Sequence, residues 1–327
     1  MDESQRTILI RRVKRRLAAL GVLIGFVIAV LVILYFALPQ WLLRAAEMYQ
    51  AQRAGLQTKS VQAGDTRWVY YEGGKHDGPT LVLLHGYMGS KEVWLPMAPY
   101  LTPNFHVIIP DLPGWGRSSR IVDADYDYPA QAKRLHEFVK ALHLGGIELA
   151  GHSMGGAIAG LYASQYPHDV GALILIDSAG APFTDNAFTR ELKAGRNPFD
   201  LQSRADFERL EKNLFAHPPW LPPRSEDVFV DRAIRDRAFD DRVLKAIVSP
   251  GQRDVLTTAL PAVTAPMLAI WCRQDRIIDI SALDAIRSKL TAAPRIGVTE
   301  FNDCGHMSVM ERARESADAI TRFVLMP

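Results

Sequence analysis

The residue types most able to do chemistry stand at Gly151, His152, Ser153, Met154 and Gly155. An apolar run, residues 147–150, precedes them, and a small-residue helical pattern, residues 156–166, follows. Glycines two residues either side of a serine let the backbone turn sharply from strand to helix, so that the hydroxyl projects and the first helical amides point at the same spot. A serine hydroxyl is a weak nucleophile at neutral pH. It needs a base within hydrogen-bond reach and a third group to orient that base. The pentapeptide alone is a weak signal, so the rest of the chain must supply those partners.

His306 is the expected base. It lies in a loop after the last apolar run, residues 295–301, and before a terminal helical pattern, residues 309–323, which sets it at the carboxyl edge of a sheet, where ligands collect in open α/β folds. His76, His136, His143, His168 and His217 fall on helices or surface-like loops and are placed less well. Asp275, four residues past another apolar run, is the expected acid; Asp279, Asp177 and Asp303 are rivals. The order Ser153, Asp275, His306 decides for Asp275, each member following a different strand on one edge. Two amides must also face the developing oxyanion, and those of Met154 and Tyr87 are the candidates. His85 is read as a brace for the loop that carries Tyr87, and His152 as a wall of the cleft.

These residues need a scaffold. Apolar runs recur at residues 67–71, 80–84, 106–110, 147–151, 172–176, 267–271 and 295–301, with helical patterns between several of them. Residues 129–142 are the clearest helix, with Leu135, Phe138, Val139 and Leu142 on one face. Such alternation specifies a mostly parallel, doubly wound sheet covered on both faces. The core is assigned to residues 59–180 and 262–327. Residues 181–261 break the rhythm and read as an inserted helical cap, with helices at 185–194, 204–216, 226–236 and 240–248. Its many charges read as a solvated helix face. The stretch from Phe215 through Trp220 to Pro223 is either a substrate gate or membrane-touching lip, or a loop packing one cap helix on another.

Residues 17–38 carry no charge and at the helical rise would span roughly 33 Å, enough to cross a bilayer core. This predicts one N-terminal transmembrane helix after a basic cytoplasmic tail, residues 1–16, and before a juxtamembrane helix or stalk, residues 39–58. Six basic residues precede the span, whereas only Arg44 and Arg53 lie in the twenty residues after it. The positive-inside tendency then leaves the N-terminus in the cytoplasm and exports the rest, the alternative being a catalytic domain that faces the cytosol. A net charge of +2 with no basic stripe gives no support for a nucleic-acid partner. Cys272 and Cys304 are read as buried free thiols, a disulfide being the alternative for an exported domain. No histidine and carboxylate cluster has ligand spacing, so no metal or organic cofactor is implied, and nothing sets the oligomeric state.

The segments LVLLHGYMGSKEVW, VIIPDLPGWGRSS, LAGHSMGGAIAGLYASQYP, WCRQDRIID and NDCGHMSVMERA occur in that order. Together they resemble the α/β-hydrolase superfamily, and within it the membrane-anchored monoacylglycerol lipases, which share one N-terminal span and a GxSMGG motif. The resemblance implies an α/β-hydrolase fold, a Ser153 nucleophile, a His306 base, an Asp275 acid, and an oxyanion hole at Tyr87 and Met154. The cap, which sets substrate, is the least recognisable part. A membrane-tethered serine hydrolase acting on lipid-like carboxylic esters is the expected function. The alternatives are a carbon–carbon hydrolase of ring-cleavage products and a non-catalytic ligand-binding protein on the same fold.

Overall fold

The computed structural model describes residues 3–326. Helices α1 (Glu3–Ala37) and α2 (Pro39–Arg53) precede an eight-stranded sheet of β1 (Leu56–Ala63), β2 (Thr66–Gly74), β3 (Thr80–Leu84), β4 (His106–Pro110), β5 (Ile147–His152), β6 (Val170–Ile176), β7 (Met267–Cys272) and β8 (Ile296–Phe301). The spatial order is β1-β2-β4-β3-β5-β6-β7-β8. Both pairings of β2 are antiparallel, and the other five are parallel. Helices α3 (Ala98–Leu101), α4 (Tyr128–Ala141), α5 (Met154–Gln165), α10 (Ala282–Lys289), α11 (Ser308–Glu311) and α12 (Ala313–Leu325) belong to the crossovers and the C-terminus. Between β6 and β7 run α6 (Ala187–Lys193), α7 (Arg204–Leu214), α8 (Pro223–Ile247) and α9 (Val255–Ala259).

Period-two alternation explains why both faces are dry. Val82, Leu84, Leu173 and Leu175 enter one core with Phe138 and Ala157 of α4 and α5, while Leu81, Leu83, Ile174 and Ile176 enter the other with Trp94, Leu101 and Phe323. A sheet apolar on both faces must be covered twice, which fixes the layered architecture and leaves the strand ends free for chemistry.

Several expected boundaries move. β1 was not expected: LQTKSVQA is an edge strand buried only at its two ends, so it lacks the alternation that marks a strand. Of residues 39–58, expected as a juxtamembrane helix or stalk, residues 39–53 form helix α2, Ala51 and Ala54 are buried in the second core, and β1 takes residues 56–58. Two separate cap helices, 226–236 and 240–248, are one helix, α8, since Arg237, Ala238 and Phe239 contain no breaker. The single terminal helix is interrupted at Arg312. Residues 3–16 of the expected basic tail are helical, for α1 runs without interruption from Glu3.

Candidate active site

Ser153 joins β5 to α5 with φ 54° and ψ −120°. A positive φ costs a residue with a Cβ of order 1–3 kcal/mol, so the surrounding packing must impose it. Gly155 is the residue that permits this packing. A Cβ there would stand 2.5 Å from the Leu84 carbonyl oxygen and 2.6 Å from that of His85, which seats α5 directly on the end of β3. The turn is closed by the Ser153 amide donating to Ile176 O at 3.0 Å, and by the Gly156 and Ala179 amides donating to Ser153 O at 2.9 and 3.0 Å.

The loop after β3 lies against this turn, since a Cβ on Gly86 would come 3.1 Å from Ser153 Cβ. Neither the Tyr87 nor the Met154 amide donates a hydrogen bond among the described residues. His85 braces the loop as expected. Its Nε2 accepts from the Leu112 amide at 2.9 Å, which leaves Nδ1 as the donor to Gly86 O at 2.8 Å, and burial pushes its pKa down. Helix α8 holds the same loop from outside. Tyr87 Oη donates to Asp240 O at 2.7 Å, Trp115 Nε1 donates to Asp240 Oδ1 at 3.1 Å, and Arg232 donates to Met88 O. Asp240 is thus buried, not part of a solvated face, and burial pushes its carboxyl up to about 6. The signal was present: Asp240 shares its helix face with buried Val243, Leu244 and Ile247.

His306 and Asp275 meet in the buried layer, with His306 Nδ1 2.8 Å from Asp275 Oδ2. The other Asp275 oxygen accepts from the Ile277 and Ile278 amides at 2.8 and 2.9 Å, and these donors oppose the upward push of burial on its carboxyl. Burial also lowers the His306 pKa, which keeps the ring neutral with Nε2 open to accept a proton. The rivals have other partners, although Asp177 lies close enough to Asp275 for that charge to push its carboxyl further up. Asp177 accepts from the Cys272 amide and from Ser308 Oγ, Asp279 accepts from the Ser281 amide, and exposed Asp303 pairs with His217 at 2.6 Å.

Ser153 and His306 share no hydrogen bond here, but their backbones are tied together. His152 Nε2 donates to the His306 carbonyl at 2.8 Å, and the two rings lie 4.8 Å apart. A carbonyl only accepts, so Nε2 carries the proton, and burial pushes His152 down to about 3. His152 therefore positions the His306 loop rather than walling the cleft.

A second tie corrects the free-thiol expectation: Cys272 and Cys304 form a disulfide, with Cα atoms 5.5 Å apart. It joins the end of β7, three residues before Asp275, to the loop two residues before His306. Both cysteines lie at or just after the ends of strands that finish on one edge, so proximity is expected, but spacing alone does not tell a buried thiol pair from a bond. Glu311, also missed, accepts from the Gly305, Ala216 and His217 amides and clamps the His306 loop from the other side.

Ser153, Met154 and Tyr87 line a cavity of about 460 Å³ that extends beneath the inserted helices. Its walls are Phe183, Phe188, Phe199, Leu244, Ile247 and Ile278, with Lys193 and Arg253 among its few charged residues. A strained serine facing an apolar chamber, beside two undonated amides and near a histidine and carboxylate pair, is suited to acyl transfer.

A family model for the alpha/beta hydrolase fold matches residues 79–313. The chain belongs to this family. It is similar to Lipase 1 of Psychrobacter immobilis, 34% identical over 280 residues that make up 84% of this chain and 86% of that one. Monoacylglycerol lipase ABHD6 of Homo sapiens is 30% identical over 311 residues, covering 88% and 87% of the two chains. Among solved structures, a membrane phospholipase A described as a novel bacterial virulence factor superposes with a TM-score of 0.84 at 34% identity, over 96% of this chain and 98% of that one.

Proposed function

We propose that Ser153 is the nucleophile, His306 the base and Asp275 the acid of an enzyme that hydrolyses lipid esters at a membrane surface. The chain is a hydrolase of the lipase and esterase type. The observation that carries the finer reading is the cavity opening on Ser153, whose mostly aromatic and aliphatic walls suit an acyl chain. In the reaction, Ser153 Oγ attacks the ester carbonyl and its proton passes to His306 Nε2. The oxyanion is held by the Tyr87 and Met154 amides. Collapse expels the alcohol, which takes the proton back from His306. Water activated by the same ring then releases the acid from Ser153, and Asp275 holds the imidazolium throughout.

The membrane part rests on three features. Helix α1 contains the one stretch, among the described residues, long and apolar enough to cross a bilayer, and none of that stretch is buried. The disulfide suits a domain exported to an oxidising compartment. The Arg224 guanidinium, just after the Pro-rich loop that carries Trp220, 83% exposed, lies 5.7 Å from the Phe36 ring at the end of α1. On this reading the inserted helices form the cap, and the loop is a lip at the bilayer surface.

Fluorophosphonate labelling tests the core of this. The wild type should label and Ser153→Ala should not, with kcat for a monoacylglycerol falling by roughly 10⁵–10⁶-fold. An unlabelled, folded wild type would overturn the enzyme reading. A preference for acetyl esters over long acyl chains would remove the lipid assignment alone.

A further inference from the structure

A row of side chains crosses the sheet at the edge opposite the serine. His106 opens β4, Thr80 opens β3 and pairs with it directly, and Glu72 of β2 lies diagonally across from His106. Thr80 Oγ1 is 3.3 Å from His106 Nδ1, and Glu72 Oε1 is 3.0 Å from His106 Nε2. The turn between β2 and β3 brings His76 over the row, its ring centroid 4.8 Å from that of His106. One ligand atom from each of Glu72, His76 and His106 lies within 4.8 Å of the others. None of these residues belongs to the catalytic machinery proposed above, and no spacing in the sequence groups them, because each comes from a different strand or turn.

We propose that Glu72, His76 and His106 form a binding site for a divalent transition metal, with zinc the best match. Two imidazoles and one carboxylate suit zinc better than magnesium or calcium, which favour all-oxygen shells. Tetrahedral zinc with bonds of about 2.0 Å sets its ligand atoms roughly 3.3 Å apart. Glu72 and His106 already approach that spacing, and exposed His76, on a turn, has only to swing inward. Thr80 supplies the outer support. With Nε2 on the metal, His106 Nδ1 carries the proton and donates to Thr80 Oγ1, which fixes the ring. Lys59 Nζ, 2.9 Å from Glu72 Oε2, competes for the carboxylate, but its side chain is 46% exposed and free to leave.

The site lies at the amino ends of β3 and β4, a five-residue strand or roughly 17 Å from the edge where Ser153 sits. A metal there clips the turn between β2 and β3 to β4 and takes no part in ester cleavage. Its effect is on stability, because a ligand bound only by the folded state raises the unfolding free energy by mass action.

The test titrates the full chain in detergent, stripped of metal with a chelator, with Zn²⁺ against a chromophoric indicator. One equivalent should bind, and the thermal midpoint should rise. His76→Ala and His106→Ala should each weaken binding at least about tenfold, Thr80→Val should weaken it less, and Lys59→Met should tighten it. Fluorophosphonate labelling of Ser153 by each variant, unchanged from wild type, shows that the variants fold. Absence of zinc binding by the wild type would overturn the site. So would equal binding by the His76→Ala, His106→Ala double variant, which would place the metal on other histidines.

Discussion

His152 shows how a single side chain can act through another. Its ring has no contact assigned to substrate, yet its Nε2–H holds the carbonyl of His306 at 2.8 Å and so fixes where the proposed base stands relative to the residue next in sequence, Ser153. His152→Ala should lower kcat by roughly 10–100-fold with little change in KM, as expected when a reacting group drifts by an ångström or less. His152→Gln, which retains an N–H donor, should recover part of the loss, and steady-state kinetics on the three proteins checks this. Asp240 works on stability instead. Burial raises its carboxyl to about 6, above the unfolded value, so its contribution is intact below about pH 4 and is lost as pH rises through 6. Asp240→Asn keeps an acceptor for Trp115 without the buried charge. It should be more stable than wild type by about 1–2 kcal/mol at pH 7.5 and equal to it at pH 4, measured by urea midpoints at the two pH values.

Elements explain which of these residues were legible beforehand. β5, β7 and β8 each fall on an apolar run in the sequence, and the loops at their carboxyl ends follow directly, which is why Ser153, Asp275 and His306 could be named as candidates from spacing and order. β1 is an exposed polar edge whose partner supplies the pattern, so it could not be read. The disulfide, the hold of Glu311 on Ala216 and His217, and the Asp240 anchor all join elements distant in sequence, and only the folded register brings them together. The disulfide has the largest consequence at this scale, because it closes a separation of 32 residues and binds the Asp275 loop to the His306 loop. Replacing both cysteines by alanine should cost about 2–4 kcal/mol of stability. Dithiothreitol should produce the same loss in the wild type and none in the double variant, as read by thermal unfolding.

At the scale of the whole molecule, the arrangement places a long apolar helix, a Pro-rich loop and an apolar chamber on one connected body. If the loop touches lipid, the fluorescence difference between wild type and Trp220→Ala should shift to the blue on adding anionic vesicles to a chain lacking residues 1–38, and an unshifted difference would remove the lip assignment. Binding should also weaken several-fold in Trp220→Ala, since Trp favours the interfacial region. The junction between α1 and the sheet is short. Only Leu38 separates α1 from α2, only two residues separate α2 from β1, and α2 is packed on the core. If α1 crosses a bilayer as proposed, such a tether has no slack, and the active site forages only in the sheet of lipid in which its own root is planted. On that proposal, molecules held in facing or neighbouring bilayers stay out of reach until they transfer into that leaflet.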